Sequence, residues 1–332
     1  MNALKTIFKF TFAFALIYWL VSSGKLDFNI FKEVLQHPFK LAFAGVGLFL
    51  TLFVVNFRYS IILASRAQVK IPLLKLFRYN WIGVFFNSVL PGSVSGDLVK
   101  IFYIKNEDKT LTTKFMLASI FIDRIFGLSA LIVLLGTFSI FNYTELTSYS
   151  PDIKKLLDLN LLLFASVIFA FCGVYFFQSL PHRILQPLMK FSFLKKVLPK
   201  LLKLWDELCS FKDKIFILMS LSFFLQALSV ITFWFLTESF AVGEFPITYA
   251  LSIIPIGFVA LAIPIAPSGL GVGHAVFHTL LGFIGISNGA DLFNIYFFVM
   301  ISFNLLGAIP YLLTKSKKQI SFQNLDVRNE EI

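Results

Sequence analysis

The chain reads as an all-α polytopic membrane helix bundle, and three observations predict it. First, 58% of its 332 residues are hydrophobic and 14% charged, whereas soluble domains run at about 45–50% apolar and about 25% charged. Second, the apolar residues fall in runs of about the 20 residues that a bilayer crossing needs. Third, Lys and Arg crowd between some runs and are sparse between others, the pattern that sets membrane topology. These features exclude a soluble enzyme, a disordered regulator and a collagen-like fibre. The net charge of +11 comes from basic residues flanking apolar spans. It does not form a soluble basic stripe, so no nucleic-acid partner is expected.

Six spans are predicted, at 6–22, 39–57, 115–141, 160–178, 215–237 and 291–314. Two further apolar stretches are broken. One, 73–105, is interrupted at Pro91-Gly92-Ser93-Val94-Ser95-Gly96-Asp97. The other, 248–286, is interrupted at Pro264-Ile265-Ala266-Pro267-Ser268-Gly269-Leu270-Gly271-Val272-Gly273-His274. Gly and Pro at this density stop a helix, so each stretch predicts a re-entrant hairpin. Two full spans in place of each hairpin would keep the same end-points. The first span, preceded by Lys5 and Lys9 and followed by Val21-Ser22-Ser23, also fits a signal peptide.

With the N-terminus inside, 23 Lys and Arg residues fall on the inner side and five on the outer, with Arg124 inside a span. Cytoplasmic loops carry that excess, which predicts a multi-pass protein of a bacterial-type inner membrane with both termini cytoplasmic. The order span, span, hairpin, span occurs twice, over about 1–141 and 160–314 within one membrane domain, 1–318. Each half has an odd number of spans, so the second is inverted, as in many transporters. Between the halves, in 181–214, Leu194, Val197, Leu198, Leu201, Trp205 and Leu208 recur at helical spacing beside Lys195, Lys196, Lys200 and Lys203. This predicts a basic amphipathic helix on the anionic leaflet, with Pro199 placed to kink it, and makes anionic phospholipids expected partners. Residues 319–332 form a polar tail.

The chemistry-bearing candidates lie at the breaks and inside the third span. A helix that restarts within the bilayer presents free N–H groups and a positive dipole end, which suit a phosphate or carboxylate. Pro91, Gly92, Ser93, Ser95 and Gly96 at the first break, and Pro267, Ser268, Gly269, Gly271 and Gly273 at the second, supply close backbone approach and hydroxyls. Asp97 and Lys100 follow at i and i+3 on one helix face. They read either as a gate pair or phosphate clamp, or as an ordinary interfacial ion pair. Asp123 and Arg124 lie nine residues into the third span, about 13 Å deep at about 1.5 Å per residue. Neighbours on a helix point about 100° apart, so each is expected to bond other helices as well as its neighbour. A charge at that depth costs roughly 2.5–3.5 kcal/mol and marks function by default. The planar guanidinium of Arg124 matches a headgroup phosphate. The alternative is a structural ion pair tying the third span to the first hairpin. His274 and His278 stand one turn apart with no Cys or acidic partner beside them, so no metal is expected. Asn80, Asn87, Gln226 and Asn304 read as helix–helix hydrogen bonds. Cys172 and Cys209 offer no disulfide framework, and no cofactor motif appears.

Asn87-Ser88-Val89-Leu90-Pro91-Gly92-Ser93 with Gly96-Asp97-Leu98-Val99-Lys100, then Asp123-Arg124-Ile125-Phe126-Gly127-Leu128, then Pro267-Ser268-Gly269-Leu270-Gly271-Val272-Gly273, together resemble the signatures of the lysylphosphatidylglycerol synthase transmembrane-region family. The resemblance covers nearly the whole chain. It implies a flippase-like membrane protein, since one type in that family moves aminoacylated phosphatidylglycerol between leaflets and others are linked to lipid-linked sugar pathways. Two departures stand out. The chain ends soon after the sixth span, so the soluble aminoacyl-transferase domain of the synthase type is not expected, and a separate lipid-modifying enzyme becomes a candidate partner. His274 stands where the family usually carries Glu.

The expected function is therefore transfer of a phosphate-bearing lipid between leaflets, the two breaks and Arg124 holding the headgroup while the acyl chains stay in the bilayer. A secondary transporter of a small anion is the alternative, and a lateral opening toward lipid would separate the two. An intramembrane transferase or hydrolase is a third class. Ser93, Ser95, Asp97 and His274 are available to it, without a known spacing that joins them.

Overall fold

A computed structural model describes residues 34–90, 95–187, 195, 197–262 and 272–314. The first predicted span, the polar tail and most of both Pro/Gly breaks lie outside these residues. Among them the chain is helical without strands. We number the helices α1 (Pro38–Leu63), α2 (Leu73–Val89), α3 (Ser95–Glu107), α4 (Thr113–Phe141), α5 (Tyr143–Tyr149), α6 (Pro151–Phe176), α7 (Leu180–Leu185), α8 (Leu198–Cys209), α9 (Ile215–Thr237), α10 (Ile247–Ala262), α11 (Val272–Gly282), α12 (Gly289–Leu305) and α13 (Ala308–Leu313).

The helix starts follow local chemistry. Thr112 caps α4 by accepting from the Phe115 N–H at 3.1 Å. Ser150 caps α6 by accepting from the Asp152 N–H, and Pro151 begins that helix where its missing N–H costs nothing. This cap starts α6 nine residues before the apolar run at 160. Among the described residues, five helical segments are long and apolar enough to cross a membrane: α1, α4, α6, Lys212–Phe240 around α9, and Gly289–Leu313 across α12 and α13. By contrast α2, α3, α10 and α11 have 17, 13, 16 and 11 residues, short of the roughly 20 needed for a crossing. Within the described residues each broken stretch is thus a pair of short helices.

The inverted repeat is visible in the packing. Pairing α1 with α9, α2 with α10, α3 with α11 and α4 with α12 turns the observed contacts into one another. Thus α1 packs on α2 as α9 packs on α10, α4 on α9 as α12 on α1, α4 on α10 as α12 on α2, and α3 on α4 as α11 on α12. Burial follows the same rule, at 50% and 56% of the apolar window for α4 and α12, and 22% and 28% for α1 and α9. The equivalent helices α1 and α9 run antiparallel. Lys40 meets Glu238 at one end, and Arg58 meets Ser222 toward the other. The hairpins open at opposite ends of α4. The first does so where Lys105 donates to Thr113 at the start of α4. The second does so where Asn142, at the end of α4, donates to Ser252 in the first turns of α10.

The first hairpin closes on two glycines. The Gly96 N–H donates to Asn87 Oδ1 at 2.7 Å. A Cβ on Gly96 would overlap the Gly83 carbonyl oxygen, and a Cβ on Gly83 would stand 2.9 Å from the Gly96 oxygen. The close approach that Gly96 permits is therefore to α2, not to a ligand. Gly96→Ala is expected to force α2 and α3 apart and cost about 1–3 kcal/mol, the range for overpacking. Membrane yield and melting temperature should fall together with activity. Normal yield and melting would show that the contact can relax.

Asp108 organises the loops at the open end of this hairpin. It accepts from the backbone N–H groups of Gln68, Val69 and Thr110 and from the Thr110 hydroxyl. The Thr110 hydroxyl, followed by these N–H groups, holds its carboxyl down at about 2. Pro199 lies in the first turn of α8, so it starts the amphipathic helix and does not kink it. Leu198 and Leu202 face inward. Trp205 donates to the Gln178 carbonyl at 2.8 Å, and Glu207 pairs with Arg66 at 3.1 Å. Leu194 and Lys196 lie outside the described residues.

Candidate functional site

Five charged side chains converge where α1, α3 and α4 meet. Lys100 lies in the field of the other four, Asp97, Asp123, Arg124 and Arg58. Three cations thus face two carboxylates, and the charges sort into two unlike pairs. Arg58 Nε donates to Asp123 Oδ1 at 2.8 Å, with side-chain exposures of 5% and 13%. Arg58 Nη1 also donates to Ser222 on α9 at 2.7 Å, while Gln226 on α9 donates to the Gly127 carbonyl at 3.0 Å. This pair is closed in and ties α1, α4 and α9 together.

The second pair is open. Arg124 Nη2 donates to Asp97 Oδ2 at 2.5 Å, and the Arg124 side chain is 44% exposed. Asp97 occupies the first turn of α3, where the positive helix end stabilises its charge. Its other oxygen lies 3.8 Å from Lys100 Nζ. Lys100 is buried, with its ammonium 4.0 Å from the centre of the Tyr59 ring, and the Tyr59 hydroxyl is 3.0 Å from Ser119 Oγ. Lys100 is thus enclosed by the protein and is not a surface-exposed lysine. Adjacent on one helix, Asp123 and Arg124 serve different partners, because their side chains point about 100° apart.

The direction of Arg124 matters most. Leu117, Phe121 and Leu128 are exposed large apolar residues of α4. They and Arg124 are spaced by three or four and form one outward stripe. Arg124 stands eleven residues past Thr113, about 16 Å along the axis. A guanidinium therefore lies on the outward face of α4, a helix long and apolar enough to cross a membrane.

Of the other expected site residues, Pro91, Gly92, Ser93, Pro267, Ser268, Gly269 and Gly271 lie outside the described residues. Ser95 begins α3. Gly273 packs so closely on Phe293 that a Cβ would overlap the ring. His274 sits edge-on to the same ring, with centroids 5.0 Å apart. The second hairpin is thus lined by an aromatic stack, Phe233 on Phe277 and Phe277 on Phe293, each at 5.0 Å. The first hairpin contributes Asp97 and Lys100 to the charged cluster. No group of three or more His, Cys, Asp or Glu able to hold a metal occurs among the described residues. Asn87, Gln226 and Asn304 make inter-helix bonds as expected, Asn304 donating to Ser88 at 3.0 Å.

Sequence reasoning missed Arg58, which it grouped with the basic residues flanking the second span. The helical run in fact continues to Leu63 and carries Arg58 into the interior. The need of Asp123 for a cation was the signal that could have found it.

A helical bundle with several helices long and apolar enough to cross a bilayer defines a polytopic membrane protein. The chain belongs to the lysylphosphatidylglycerol synthase TM region family, whose model matches residues 6–309. No curated protein and no solved structure matches it.

Proposed function

We propose that the chain moves a phosphate-bearing lipid between the leaflets of a membrane. The observation that carries this reading is Arg124, 44% exposed on an otherwise apolar outward stripe of a long apolar helix. A charge there is costly unless it meets water, protein or a headgroup. Its fork matches two oxygens of a phosphate. The lateral placement lets the acyl chains remain in lipid while the headgroup enters between α3 and α4, which favours a lipid over a small soluble anion. Family membership supports a lipid-related role.

The test is reconstitution into phosphatidylcholine vesicles carrying a trace of fluorescent phosphatidylglycerol or phosphatidylethanolamine. An impermeant reductant added outside should quench the inner-leaflet fraction only in vesicles that contain the protein. Protection unchanged for both probes, together with uptake of radiolabelled phosphate, would favour the small-anion reading.

The basic end of the bundle, with Lys200 and Lys203 on α8, is proposed to be cytoplasmic, as are both termini, on the distribution of Lys and Arg. In a variant with Cys172 and Cys209 replaced, Glu244→Cys is expected to react with an impermeant maleimide added to intact cells and Lys203→Cys is not. The reverse pattern would invert the topology.

A further inference from the structure

We propose that Asp97 is the internal counter-anion of the site: it occupies the Arg124 guanidinium in the empty protein and passes to Lys100 when a phosphate takes its place. The proposal rests on the reading of Arg124 as the headgroup ligand. Its geometric basis is the unequal sharing of one carboxylate. Asp97 Oδ2 is 2.5 Å from Arg124, while Oδ1 is 3.8 Å from Lys100. Lys100 has no second carboxylate at ion-pair distance among the described ion pairs, because Asp123 is held by Arg58 at 2.8 Å. Among the described residues, Asp97 shares this cluster with Arg58 and Tyr59 on α1, Lys100 on α3, and Asp123 and Arg124 on α4. Of these, Arg124 and Lys100 are the cations within 4 Å of it.

The consequence is a threshold for entry. Asp97 is tethered beside Arg124 and so competes at high effective concentration. Weak anions lose that competition. A phosphate that reaches both edges of the guanidinium, and gains further from its acyl chains, wins it. Displaced, Asp97 stays compensated by closing the gap to Lys100, so no buried charge is stranded at any stage. When the lipid leaves, the return of Asp97 to Arg124 completes release. Asp97 thus sets which anions enter and helps expel them.

The measurement is binding of dihexanoyl phosphatidylglycerol, and separately of inorganic phosphate, to the purified full-length chain by calorimetry, beside the vesicle assay. Asp97→Asn removes the competitor. The lipid probe should bind about fivefold more tightly, the worth of an ion pair with one half-exposed partner, while maximal transport falls because release is slowed. Asp97→Glu should restore wild-type behaviour. Lys100→Met removes the second partner, so the probe should bind more weakly. If Asp97→Asn alone misfolds around an uncompensated Lys100, the double variant Asp97→Asn/Lys100→Met removes one charge of each sign and should again bind more tightly than wild type. Weaker binding in both Asp97→Asn and the double variant, at wild-type melting temperature, would overturn the proposal and leave Asp97 as a residue that only positions Arg124. Failure of the wild type to bind or move the lipid probe would overturn the lipid reading and this inference together. Equal affinity for inorganic phosphate would retain the counter-anion role and reassign the ligand to a free anion.

Discussion

Asp123→Ala is expected to remove most of the folded protein from the membrane. It strands the Arg58 guanidinium, whose side chain is 5% exposed, with Ser222 as a neutral partner. Breaking a buried pair by deleting one member costs roughly 3–5 kcal/mol. That is a large part of the 5–15 kcal/mol by which proteins are typically stable. Yield and detergent-solubilised melting temperature report it directly. Arg58→Met/Asp123→Leu should recover much of the loss, because a buried pair exchanged for apolar groups of similar size is often neutral. A single Asp123→Ala variant that melts like wild type would mean that Arg58 finds another carboxylate, with Asp97 the nearest candidate in the cluster.

Arg124→Lys is expected to do the opposite, keeping the fold and losing transport. An ion pair with one partner half exposed contributes at most about 1 kcal/mol to stability, so yield and melting should hardly move. The ammonium keeps the charge but cannot present two parallel donors to a phosphate. A charge-assisted hydrogen bond is worth about 1.5–3 kcal/mol, so the transport rate should drop by roughly 10- to 100-fold. Wild-type transport in this variant would reduce Arg124 to a counter-charge for Asp97. Comparing the two variants separates the neighbouring residues 123 and 124 by role, which their adjacency in the chain does not.

Element identity was legible because bilayer physics leaves a strong trace in composition. The run 215–237 matches α9, Ile215–Thr237, residue for residue, and both broken stretches appear as paired short helices. Boundaries were less legible where capping decided them. Ser150-Pro151 starts α6 well ahead of its apolar run, and Pro199 opens α8.

The sequence by itself determined an all-α bundle, the order of its segments, the inverted repeat and the singular status of Asp97, Lys100, Asp123 and Arg124. Those features follow from hydrophobic length, helix-breaking residues and the cost of charge in hydrocarbon, which are properties of the chain read locally. Which acid meets which base was decided only by the tertiary structure. Asp123 turns inward to Arg58, 65 positions away, and Arg124 turns outward to Asp97, 27 positions away. The roughly 100° between successive side chains on a helix divides two adjacent residues between a closed structural pair and an open one. The identity of the surrounding helices, not the spacing in the chain, sets which direction is interior.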